Sequence, residues 1–143
     1  MSNATDRVRQ LIVDIHQDVV SWQQMERLLK EQHSNLIRRN NPAIHHNNEQ
    51  QVQLLNTLRG RAERRVKLLH TFGLQACTND LKRLANKLPA AISIKVIDQW
   101  HTLETSVVRC KKLNDHNGRL LANQQLLIRK LLNAQEDFYQ PAT

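Results

Sequence analysis

The chain has 143 residues, 40% of them apolar, with three Gly, three Pro and a formal net charge of +8. That length supports one domain with a modest core, and that apolar share excludes a chain disordered by composition. Scarce turn residues and 3% aromatics argue against a strand-and-turn architecture, and the charge favours an acidic partner without defining a fold.

The first predicted element runs from about Asp6 to Arg39. Val8, Ile12, Ile15, Val19, Trp22, Leu29 and Leu36 recur at alternating intervals of three and four, with Met25 alongside and Glu26 and His33 in two slots. That rhythm predicts a helix lying along another helix. "NNP" at Asn40–Pro42 stops it and restarts a second, because Pro suits a first helical turn. The second helix spans about Ala43 to Phe72, striped by Ile44, Val52, Leu55, Leu58, Ala62, Val66 and Leu69, with Gly73 as its stop. The short link makes residues 5–72 an antiparallel helical hairpin.

A short third helix is expected over 78–88, opened by "TND" and carrying Leu81, Leu84 and Leu88 before Pro89. The fourth is expected over 91–134. Its first stripe is Ile92, Val96, Trp100, Leu103, Val107 and Cys110, and it absorbs the weakly alternating "AISIKVI". Residues 135–143 read as a flexible tail. The fold class is therefore all-α. One domain over 1–143 forms an elongated antiparallel helical bundle with two long helices, a short third and a long fourth.

The end of the fourth helix has an unusual angular pattern. At about 100° per residue, Leu113, Leu120, Leu127 and Leu131 share one flank, and Leu121, Ile128 and Leu132 the other. Asn117 and Gln124 fall between the flanks, with Lys112, Asp115, Arg119, Arg129 and Lys130 opposite. The apolar arc is roughly 140°, wider than the ~100° one neighbour requires. Two neighbours are implied, either both inside the bundle or one outside it. The amides could set register, as a buried Asn does in coiled coils.

Other constellations point to no chemistry. "RGRAERRVK", Arg59–Lys67, is the densest basic run, but Arg61, Arg64 and Arg65 are expected on a solvated outer face. No aromatic lies nearby to stack on bases. No His-x-x-x-His occurs, His45 and His46 point to different faces, and His33 reads as a satisfied boundary imidazole, so no metal is expected. Cys77 and Cys110 are far apart and read as unpaired thiols. No nucleophile–base pair, phosphate-cradling loop or acid pair is evident, so neither enzyme activity nor a cofactor is expected. No apolar run reaches the ~20 residues of a membrane span, and no signal-peptide core is present. A cytoplasmic protein without membrane insertion is expected.

"LNDHNGRLLANQQLLIRKLLN", Leu113–Asn133, resembles the C-terminal helix of the FlgN family of flagellar export chaperones. "MERLLKEQHSNLIRRNNPAIHHNNEQQVQLLNTLRGRAERRVKLLHTFGL", Met25–Leu74, resembles that family's first hairpin. The resemblance covers nearly the whole chain and rests on the order and spacing of its segments. It implies a chaperone that holds the C-terminal segments of the hook–filament junction proteins FlgK and FlgL before type III secretion. It places substrate binding on Leu113, Asn117, Gly118, Leu120, Leu121, Gln124, Leu127, Ile128, Leu131 and Leu132. It also matches Tyr139 to a tail tyrosine that docks at the export apparatus. The alternative left by the charge is a basic helical nucleic-acid-binding or regulatory protein.

Overall fold

A computed structural model describes residues 3–139, with side chains placed for residues 4–133. Four helices follow in order: α1 (Asn3–Arg38), α2 (Asn41–Thr71), α3 (Thr78–Asn86) and α4 (Ala90–Tyr139). No strand occurs among the described residues. The fold is all-α, with long helices and a short third, as the spacing predicts. α4 continues past the expected Ala134 boundary to Tyr139. Neither Gly nor Pro occurs between Ala134 and Tyr139, so nothing there terminates a helix.

The turns are built by caps. α1 ends on Arg39, a non-glycine at φ 53°, with Asn40 N–H bonded to the Asn35 carbonyl and Arg39 N–H to that of Leu36. The left-handed cap thereby satisfies carbonyls that the helix end leaves open. Asn40 then opens α2, its Oδ1 accepting from Ala43 N–H at 3.2 Å. At the other end Gly73 sits at φ 71°, and the Leu74 and Gly73 amides return to the Leu69 and His70 carbonyls. The expected "TND" cap takes a different form. Cys77 is the N-cap residue and makes no side-chain cap bond. The Thr78 hydroxyl instead accepts from Trp100 Nε1 and donates to Glu104, tying α3 to α4.

α1 is the central helix. It packs on α2 and on α4, while α3 packs on the start of α4. Leu11, Ile15, Leu69, Leu81, Leu84, Ala85 and Val96 bring all four helices into one buried cluster. Burial of each large aliphatic side chain contributes roughly 1.5–3 kcal/mol. A second cluster, Met25, Leu29 and Cys110 with Trp22, Leu54 and Leu113 against it, joins α1 to α4 higher up.

The basic run forms the expected solvated face only in part: Arg64 stays 52% exposed, whereas Arg61 and Arg65 are drawn inwards. Asp14 and Asp18 of α1 are buried, at 0% and 1% exposure, and α2 supplies their counter-ions. Arg64 meets Asp14 through two bonds, at 3.0 and 3.1 Å. Arg61 and Arg65 both donate to Asp18, at 3.1 and 2.6 Å, and Arg61 also bonds Ser21 at 2.8 Å. Arg61 and Arg65 keep only 17% and 13% of their side chains exposed. A buried carboxylate needs both a cation and hydrogen bonds, which places these guanidiniums inside the α1–α2 interface. Asn47 completes that antiparallel interface, its Nδ2 donating to the Leu28 carbonyl at 2.9 Å.

Candidate functional site

α4 runs parallel to α1, and the seam has a regular polar spine. Cys110 Sγ contacts the Trp22 carbonyl at 3.5 Å, Asn117 Nδ2 donates to that of Leu29 at 2.8 Å, and Gln124 Nε2 to that of Leu36 at 2.8 Å. Both partners advance by seven residues at each step, with a constant offset of 88. This is a parallel coiled-coil register. The Leu36 carbonyl already accepts the N–H of the cap residue Arg39, and its second lone pair takes the Gln124 amide. Burial, and secondarily the Glu26 carboxylate, push the Cys110 thiol from the ordinary 9.0 up to about 11.

Asn117 and Gln124 therefore serve the bundle itself. Their angular position lies between two flanks, where amides can set register. The structure binds both to α1. Asn117 is 2% exposed and also donates to Gln32 Oε1 at 3.0 Å. The signal was present in the seven-residue recurrence of Cys110, Asn117 and Gln124. Beside them His33 stacks on His116, with ring centroids 5.1 Å apart. The expected satisfied imidazole is not found at Nδ1 of His33, which is buried without a hydrogen-bond partner.

At the same offset, the end of α1 at Arg38 lies level with Leu126 of α4. The remainder of α4, residues 127–139, extends about 20 Å beyond that level at 1.5 Å per residue. Leu127, Ile128, Leu131 and Leu132 lie there with 46–62% of their surface in water. Leu121, just below, is 43% exposed. Leu113 and Leu120 are half-buried towards α1, and Gly118 is exposed, with nothing within 4 Å of an added Cβ. Thus the predicted residues divide into a packed set and an open set. Arg129 and Lys130 stand exposed within the open set. The side chain of Tyr139 lies outside the described residues.

The profile of the FlgN protein family matches residues 1–136. The chain belongs to the FlgN family. Membership points to a role as a flagellar export chaperone. No curated protein and no solved structure matches the chain. Among the described residues, no group of three or more His, Cys, Asp or Glu could hold a metal ion, and no helix is long and apolar enough to cross a membrane.

Proposed function

We propose that this FlgN protein is a cytoplasmic chaperone that holds the C-terminal helical segments of FlgK- and FlgL-type junction proteins on the free end of α4. One observation carries the reading: Leu127, Ile128, Leu131 and Leu132 are exposed together where α4 has outrun α1, with Leu121 exposed just below them. A row of large apolar side chains in water is a docking surface for another amphipathic helix. A client helix laid there would be kept from self-assembly. Ordering a disordered client segment costs several kcal/mol, which keeps the complex releasable. The alternative of a nucleic-acid binder loses its best patch, because Arg61, Arg64 and Arg65 are engaged with Asp14 and Asp18. On the same reading the export apparatus is the second partner, with Tyr139 as the contact implied by the family.

The test is capture of junction-protein C-terminal segments by the purified chain. Ile128→Glu with Leu132→Glu is expected to weaken capture at least tenfold while the thermal midpoint stays within about 2 °C, as for exposed sites. Undiminished capture by a folded double variant would sink the proposal.

A further inference from the structure

α2 and α4 both pack on α1 but leave an open groove between them, floored by Asp18 and Trp22. Leu55 and Val108, one on each wall, are 44% and 52% exposed. This is the slot that one further helix would fill in a four-helix bundle. The wall on α4 also has a continuation. Trp100, Val107 and Asn114 line the groove. Leu121 and Ile128 follow at the same seven-residue step along the parallel seam. One row of side chains therefore leads from the groove to the exposed end of α4, roughly 40 Å at 1.5 Å per residue.

We infer that the groove and the Leu121–Ile128 row form one continuous track, and that its occupant is an amphipathic client helix with a bulky apolar stripe edged by carboxylates. The inference rests on the chaperone reading for the source of that helix, not for its chemistry. The charges decide the chemistry. Asp18 and Arg65 in the groove are paired with each other. Glu104, at the α3 end of the groove, accepts from the Thr78 hydroxyl and has no ion-pair partner among the described residues, so the basic edge begins beyond it. Arg59 and Lys111 on the rims have no ion-pair partner among the described residues, and Arg129 and Lys130 continue the basic edge along the free end of α4. The same charges count against a second copy, because its basic α4 end would meet basic rims.

Both tryptophans of the chain, Trp22 and Trp100, line the groove and report on it directly. The probes are two synthetic tryptophan-free helical peptides with the same Leu/Ile stripe, one edged with Glu and one with Lys. The Glu-edged peptide is expected to bind at least tenfold more tightly in fluorescence anisotropy and to blue-shift the tryptophan emission. Leu55→Glu and, separately, Val108→Glu are expected to abolish the shift while leaving the circular dichroism melt unchanged. Arg59→Glu with Lys111→Glu is expected to reverse the peptide preference. Equal binding of the two peptides overturns the proposal, as does binding without an emission change or binding that both groove variants retain. A dimer in sedimentation that Leu55→Glu dissociates makes a second copy the occupant and overturns it too. Junction-protein segments that fail to bind the wild-type chain, while the Glu-edged peptide still binds, refute the chaperone reading and support the groove.

Discussion

Replacing Asp18 with Asn keeps the shape of a buried side chain and deletes its charge. In the native chain this carboxylate is 1% exposed and accepts from Arg61 and Arg65 at 3.1 and 2.6 Å. After Asp18→Asn the two guanidiniums, 17% and 13% exposed, face each other across a neutral amide. Breaking a buried ion pair from one side typically costs about 3–5 kcal/mol, because the remaining charge stays desolvated. With an unfolding entropy of about 2.1 cal/mol/K per residue, that loss lowers the thermal midpoint of a chain this size by roughly 10–15 °C. Circular dichroism melts at matched salt read it directly. Replacing Asp18, Arg61 and Arg65 together by Leu is expected to recover most of the loss, since no buried charge is then left without its partner. A drop under about 3 °C for Asp18→Asn would refute the claim that these arginines act inside the α1–α2 interface.

Asn117→Ala removes two hydrogen bonds from the α1–α4 seam and is expected to cost about 1–3 kcal/mol, measured by urea unfolding. Gly118→Ala, with open space around its Cβ in mid-helix, is expected to stabilise by about 0.5–1 kcal/mol in the same assay. Gly73→Ala is expected to destabilise by about 1 kcal/mol, because its φ of 71° suits only glycine well. Cys110, raised to about 11, binds its proton more tightly in the folded than in the unfolded state. Its contribution to stability is therefore complete below about pH 9 and is lost as pH rises towards 11, which urea melts across that range will show. At pH 8 a thiol reagent is expected to modify exposed Cys77 promptly and buried Cys110 only on unfolding.

Helix type and order were legible because Pro42, Gly73 and Pro89 punctuate clean apolar stripes. The excess apolar arc on the last helix was legible for the same reason. The partners were not. Asp14 and Asp18 fall on the buried side of α1, and a stripe read from apolar residues alone skips them. Their counter-ions Arg61, Arg64 and Arg65 lie more than forty residues away, so a dense basic run looked like a solvated face. Asn117 and Gln124 posed the opposite problem. They lie between two flanks, and the hydrogen bonds to the Leu29 and Leu36 carbonyls show that α1 is the neighbour they bind, at the seven-residue step they share with Cys110.

The offset of 88 residues between the partners along the α1–α4 seam also orders the events of synthesis. A ribosome delivers α1 and α2 first, and the hairpin with its ion pairs can form from contacts within the first 71 residues. Leu29 and Leu36 on α1 must then wait for Asn117 and Gln124 to emerge. Such distant pairing is slow and leaves sticky surface open in the interval. The surface left open on the nascent chain lies on α1, whereas the row proposed to hold a client lies on α4. A chain stopped before α4 is complete would expose on α1 an apolar surface that α4 covers in the whole protein.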